Sequence, residues 1–256
     1  MEKVKPKKHL GQHFLKDEGI ARKIVEQLPV DDFEQIIEVG PGMGVLTKYL
    51  IEKFERKFVA FDIDQDSIDY LKKKYPAYQE QFVYQDFLSL DFSKELKGGI
   101  AVIGNFPYNV SSQLFFRIWE NYKLIDYTVC MIQKEVADRI VSKEGNKVYG
   151  ILSVLLQAYF DIEYNFSVPP QVFDPPPKVQ SAVITLKRKK DIPDVDQRFL
   201  KRVVKSAFGK RRKTLRNALK DLNLTEFNFE EDLFSRRAEQ LSVSEFIQLT
   251  NRLNNE

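Results

Sequence analysis

Continuous apolar runs alternate with helically spaced ones along the first half of the chain. Short β-rich runs stand at 36–40 (IIEVG), 57–64 (KFVAFDID), 81–86 (QFVYQD), 99–105 (GIAVIGN) and 127–133 (YTVCMIQ). Between them the apolar residues follow a helical period, as in Val45, Leu46, Tyr49, Leu50 and Phe54, or Ile68, Leu71 and Tyr75. A strand that is apolar throughout must be covered on both faces. The alternation therefore predicts a parallel sheet with helices on either side, a doubly wound, Rossmann-like α/β domain.

After about residue 145 the pattern changes. GILSVLLQAYF reads as a buried helix, and FDIEYNFSV and SAVITLKRK read as strands on either side of the proline-rich VPPQVFDPPPKV, a combination that suggests an antiparallel edge. Pro175, Pro176 and Pro177 are expected to fix an extended loop. KKDIPD, residues 189–194, mixes charge with proline and reads as a linker. Beyond it only helical spacing is found, at 196–207, 211–221 and 244–252, so we expect an α/β domain over 1–188 and a small all-helical domain over 189–256.

Composition narrows the class. With 256 residues, 43% hydrophobic and 30% charged, the chain can bury a core of ordinary size. Its single cysteine, Cys130, excludes a disulfide framework and a cysteine-rich metal site, and points to a reducing compartment, hence the cytoplasm. The basic start MEKVKPKKHL is followed by no apolar stretch of signal length, and no run reaches a membrane span, so neither secretion nor insertion is expected.

Net charge sharpens the picture only when it is mapped. Residues 187–220 carry 14 Lys or Arg against 3 Asp, a local +11, and residues 1–9 carry +3, which leaves −11 on the remainder of a chain whose total is +3. An acidic body with basic segments at both ends suits a protein that meets a polyanion on one face, and nucleic acid is the leading partner class. A solvated helix surface would give a similar run.

The most specific local signal is IIEVGPGMGVLT, where Gly40, Gly42 and Gly44 follow a strand and open a helix. Glycines there allow a tight turn and close approach of a ligand to main-chain N–H groups, although a purely structural turn would use the same residues. Val45 occupies the position where a dinucleotide fingerprint requires its third glycine, which argues against NAD or FAD. Asp62 ends the next strand, 22 residues after Gly40, where a carboxylate can accept both hydroxyls of a ribose, with Asp64 as a fallback. Glu38 could hold a cationic amino group, Asp86 could accept from an adenine amine, and Phe87 could lie against the ring. A ligand with adenosine, an amino acid and no pyrophosphate is S-adenosylmethionine.

The fourth strand ends in GNFPYN, 104–109. The exocyclic amine of adenine is a poor nucleophile because its lone pair is conjugated into the ring. Two acceptors, the side-chain carbonyl of Asn105 and the main-chain carbonyl of Phe106, would draw both N–H groups and make the nitrogen more tetrahedral. Pro107 stiffens the turn, and Tyr108 offers a face on which a base can stack. A surface turn remains the plain alternative for N-x-P-Y.

In this order the motifs resemble the ribosomal RNA adenine dimethyltransferase family. The resemblance runs almost end to end, through LGQHFL (10–15), EVGPGMG (38–44), QDF (85–87), NFPYNVSSQLFF (105–116), MIQKEVADRI (131–140), VFDPPPKVQSAV (172–183), FGKRRKTLRNAL (208–219) and RAEQLSVSEF (237–246). It implies S-adenosylmethionine-dependent dimethylation of two adjacent adenines in a loop near the 3′ end of small-subunit ribosomal RNA, on an immature subunit and by a monomer. By the same resemblance Gln12, His13 and Leu15 contact the cofactor, and Gly40, Asp62, Asp86 and Asn105 bind it or bridge it to the base. The chain departs from the family at Asp62, where Glu is more common, and at Phe106, where Leu or Ile is usual.

Phe173 reads either as a second aromatic wall facing Tyr108 or as core. Lys210, Arg211, Arg212, Lys213 and Arg216 read as an RNA footprint, with phosphate also able to meet a helix start near Thr214. Lys134, Arg139, Lys143 and Lys147 read equally as a basic rim or a solvated face. The glycine run and N-x-P-Y turn also resemble enzymes that methylate large-subunit ribosomal RNA, but the RRKTLRN tail resembles the small-subunit group. DNA adenine methylation and a non-catalytic binding factor are the alternatives from other classes.

Overall fold

The computed structural model describes residues 4–30, 33–92, 99–222 and 231–254, so the first three residues of the basic N-terminal segment lie outside the described residues. Two compact units are present, one of residues 1–137 and 162–188, the other of 138–161 and 189–256.

The first unit is built on a seven-stranded sheet. Its strands are β2 (Gln35–Val39), β3 (Phe58–Asp62), β4 (Phe82–Tyr84), β5 (Ile100–Asn105), β6 (Ile125–Gln133), β7 (Phe160–Val168) and β9 (Ser181–Arg188), in the order β4-β3-β2-β5-β6-β9-β7. All neighbours from β4 to β6 are parallel, and β9 runs antiparallel to β6. The expected α/β class is therefore present, and the late antiparallel strands extend one side of it. The solvent-free stretch Ile100–Ile103 shows why β5 reads as one unbroken apolar run: it is central, and both of its faces are covered.

Helix α1 (Glu18–Glu26) precedes β2, and α2 (Val45–Phe54), α3 (Gln65–Lys74) and α4 (Ser111–Glu120) fill crossovers. Asp17 caps α1 by accepting from the Ile20 N–H, and Ala21, Ile24 and Val25 form the helix's buried stripe against α2 and β6. In chain order the sheet grows from β2 through β3 to β4, then returns to the other side of β2 with β5. That reversal leaves a crevice outside the carboxyl ends of β2 and β5, where ligands of open α/β sheets bind. A separate two-stranded ladder joins β1 (Phe14–Leu15) to β8 (Phe173–Asp174), which no periodicity announces because each strand has two residues.

The second unit, described by itself, is helical. The end of α5 (Lys134–Val141), α6 (Ile151–Tyr159), α7 (Gln197–Gly209), the four-residue α8 (Leu215–Ala218) and α9 (Val243–Asn254) belong to it. The helix expected at 211–221 is thus short and continues as a 3-10 turn at 219–222. Phe208 sits between Tyr149 and Phe246, with ring centroids 6.0 and 5.8 Å away. The units and the division expected at 188/189 differ over residues 138–161, because α6, apolar nearly all round, packs on α7 and α9. No helix among the described residues is long and apolar enough to cross a membrane.

Candidate active site

The turn after β2 carries its glycines at positive φ, Gly40 at 67° and Gly42 at 54°. A Cβ on Gly42 would lie 2.8 Å from the Phe14 ring, so the backbone there is bare because Phe14 lies against it. Gly40 faces the main-chain carbonyl of Asn105 and the ring of Pro107 across the crevice. Strand ends thus bring the two strongest sequence motifs together.

Asp62, at the end of β3, is buried and spans the turn. One oxygen accepts from the Gly42 N–H at 3.3 Å and the other from the Asp64 N–H at 2.9 Å. Burial pushes its carboxyl up to about 6, against the opposing pull of these main-chain donors. Among the carboxylates expected to hold the ligand, only Asp62 lines the cleft.

Glu38 corrects one expectation. It is sealed behind the glycine turn, where one oxygen accepts from the Thr47 hydroxyl at 2.7 Å and Oε1 has no partner among the described residues, and burial pushes its carboxyl up to about 8. Glu38 does not line the cleft, and its bond to Thr47 supports the turn from behind. Asp64, the fallback for the ribose, is also taken: it caps α3 and accepts from Lys7 Nζ and Gln12 Nε2.

The cleft itself is walled by residues 10–14, by Gly40 and Gly42, by Asp62 and Ile63, and by residues 105–108. Asn105 ends β5, and its side-chain amide donates to the His13 carbonyl at 2.9 Å. The Phe106 N–H donates to the Met131 carbonyl at 3.0 Å, while its ring is buried edge-on against Phe115. The bulk of Phe106 therefore enters the core. Tyr108 shares a hydrogen bond of 2.5 Å with the Ser181 hydroxyl, and its ring faces His13 at 5.3 Å between centroids, tilted by 30°. His13 is held in turn by Nδ1 against the Pro175 carbonyl at 2.7 Å.

Other expected residues fall elsewhere. Leu15 and Phe173 lie opposite one another in the β1–β8 ladder and are core residues, Phe173 fully enclosed, because the ladder presses both inward. Phe173 is accordingly no second wall for Tyr108; the ring found there is His13. Phe87 is buried edge-on against Phe92, and Asp86 is exposed and accepts from the Leu88 N–H to cap the 3-10 turn at 87–89, so neither lines the cleft. Gln12 does line it, with its amide engaged by Asp64 and the Lys7 N–H. Leu10, Gly11 and Phe14 also line it, within the LGQHFL motif though not singled out there, and so does Ile63, which no motif included. Ile63 carried a signal of its own, as an apolar residue between two aspartates at a strand end, and it is 44% exposed.

Within the second unit Arg211 and Arg212 line a concavity with Lys147 and Arg237. Arg211 donates to the Tyr149 carbonyl and lies over the Phe208 ring, Lys210 is paired with Asp221, and Lys213 and Arg216 are exposed. Of the four rim cations, Lys147 joins this surface, and Lys134 lies over the Tyr164 ring in the first unit. At the helix start near Thr214 the Leu215 N–H donates to the Arg236 carbonyl at 2.8 Å, which takes one of the donors expected to meet phosphate.

Comparison with known proteins bears on this arrangement. The family described as Ribosomal RNA adenine dimethylase matches residues 3–255. The chain belongs to that family. Two curated relatives named Ribosomal RNA small subunit methyltransferase A are each 50% identical over 256 residues, one from Cytophaga hutchinsonii, covering 99% of both chains, and one from Flavobacterium johnsoniae, covering 99% of this chain and 97% of the other. Among solved structures, a dimethyladenosine transferase from Plasmodium falciparum superposes with a TM-score of 0.81 at 24% identity over 95% of this chain and 98% of its own. The 23S rRNA methyltransferase ErmE superposes at 0.66 with 23% identity, covering 94% and 99%. Both likenesses bear on fold and agree with the sheet described above. In this member of the family the glycine turn, Asp62 and the Asn105–Tyr108 segment line one cleft.

Proposed function

We propose that this chain transfers methyl groups from S-adenosylmethionine to the exocyclic amines of two adjacent adenines in a loop near the 3′ end of small-subunit ribosomal RNA. The observation that carries the reading is the orientation of Asn105. Its amide nitrogen donates to the His13 carbonyl, which fixes the side chain in the cleft wall and leaves Oδ1 to draw on an adenine N–H.

The cleft suits the methyl donor by its own chemistry. Main chain at Gly40 can be approached closely, the Asp62 carboxylate suits ribose hydroxyls, and the exposed Ile63 suits an adenine face. Bound there, S-adenosylmethionine supplies a methyl group made electrophilic by its sulfonium. Asn105 Oδ1 and the Phe106 carbonyl accept the two amine hydrogens, Tyr108 holds the base by stacking, and Pro107 keeps the acceptors convergent. Positioning is the main contribution, and the proton of the methylated amine leaves to water. The target adenine must leave its stack, at a cost of a few kcal/mol.

RNA is gripped by the second unit, through Arg211, Arg212, Lys147 and Arg237. In this reading residues 1–137 with 162–188 perform the transfer, as a monomer on an immature small subunit in the cytoplasm. The test is to incubate the protein with labelled S-adenosylmethionine and naked ribosomal RNA, under-methylated small subunits or duplex DNA, and to map the modified bases. Label on adjacent adenines of the small-subunit RNA is expected. Label on DNA alone, or on no substrate, overturns the reading.

A further inference from the structure

The N-terminal segment supplies five consecutive residues of the cleft wall, 10–14, yet only the two-residue β1 is held by a ladder. Something else seats the rest. Lys7 places Nζ 2.5 Å from Asp64 Oδ1 and 2.7 Å from Asp66 Oδ2. Gln12 closes a ring around this pair, accepting from the Lys7 N–H at 2.8 Å and donating to Asp64 Oδ2 at 2.9 Å. At the other end Asn109 donates to the His9 carbonyl at 3.3 Å, and Gly11, at φ 65°, fits so closely that a Cβ there would meet Asn109 Oδ1 at 2.8 Å. The segment thus spans from the end of β3, beside Asp62, to the turn that carries Tyr108.

Asp64 has a fully enclosed side chain, whereas Lys7 is one-third exposed and Asp66 mostly exposed. A buried carboxylate is costly without a partner, and the charge of Lys7 is delivered to it from 57 residues away in sequence. Burial alone would push the Asp64 carboxyl up; the Gln12 and Lys7 hydrogen bonds outweigh it and hold the group below its ordinary value. Lys7 is correspondingly raised, by its bonds to Asp64 and then Asp66. The attraction therefore persists across the working pH range.

We propose that Lys7 is a positioning residue, a latch that through Asp64 and Asp66 keeps residues 9–14 seated across the cleft and so sets the affinity for the methyl donor. This rests on the reading of the cleft as an S-adenosylmethionine site. Affinity for a ligand that needs the seated segment falls in proportion to the fraction seated. When the segment lifts, Phe14 parts from Gly42 and His13 from Tyr108.

Binding of S-adenosylhomocysteine, followed by calorimetry, tests this without RNA. If the seated fraction falls to about a tenth in Lys7→Met, affinity drops about tenfold and the KM for S-adenosylmethionine rises alike, with kcat within about twofold. Lys7→Arg, which keeps the charge, should restore affinity to within about threefold, and Asp66→Asn, which spares Asp64, should give an intermediate loss. Amide exchange over 7–14 should rise in Lys7→Met and fall again with saturating S-adenosylhomocysteine. Unchanged affinity in Lys7→Met, an equal loss in Lys7→Arg, or a lowered unfolding temperature with affinity intact overturns the latch. Failure of the unaltered protein to bind S-adenosylhomocysteine overturns the functional reading and the latch with it.

Discussion

The Asn105 side-chain amide donates to the main-chain carbonyl of His13, 92 residues away, at 2.9 Å. One hydrogen bond thereby orients the acceptor of the N-x-P-Y turn and ties that turn to the N-terminal segment.

Asn105→Ala removes that acceptor and is expected to lower kcat at least about a hundredfold, the scale of losing one preorganised polar contact at a reacting group. RNA affinity, measured by filter binding, should stay within about threefold, since the cations that meet phosphate are elsewhere. Turnover that survives the change would show that amine activation does not run through Asn105.

The Asp62 carboxyl, raised to about 6 by burial, must be ionised to accept two ribose hydroxyls. Affinity for S-adenosylhomocysteine should fall as pH drops through 6, while Asp62→Asn should bind weakly with a flat profile between pH 5 and 8. Calorimetry across that range decides it.

Glu38 titrates with the opposite consequence for the fold. Its carboxyl is raised to about 8, above its value in the unfolded chain, so the folded state holds a proton that the unfolded state releases from about pH 4.5 upward. Stability should be fully present below that point and decline as pH rises towards 8, by at most about 1.4 kcal/mol per pH unit. Glu38→Gln can still accept from the Thr47 hydroxyl and should flatten the pH dependence of Tm in this window.

Tyr108 and Phe173 separate base stacking from core packing. Tyr108→Ala should cost about 1–3 kcal/mol of base binding, read as a higher KM for RNA with little change in Tm. Phe173→Ala should instead cost about 3–5 kcal/mol of stability, read in urea unfolding. A Phe173→Leu variant that keeps its fold and loses RNA binding specifically would return Phe173 to the base site.

Arg212→Ala and Arg237→Ala should each weaken RNA binding and lower the salt slope by about one, whereas Lys210→Ala, already paired with Asp221, should change it less. Binding titrations at several salt concentrations give both quantities.

Much of the scaffold was legible. The strands at 36–40, 99–105 and 127–133 fall where both-face burial demands unbroken apolar runs, and the helices between them follow from their stripes. The β1–β8 ladder was not, since two residues per strand carry no period. Residues 138–161 also escaped, because an all-apolar helix such as α6 reports that it is buried and not against what.

The sequence by itself determined that a glycine turn, an acidic strand end and an Asn-Phe-Pro-Tyr turn exist, that they follow parallel strands, and that basic charge is gathered away from them. Only the tertiary structure decided which carboxylate is open to a ligand. Asp62 faces the cleft, Asp64 is claimed by Lys7 and Gln12, and Glu38 is sealed behind the turn. Local pattern encodes which face of an element is buried. The partners of a polar group come from remote segments, and they set whether it is charged, capped or free to bind.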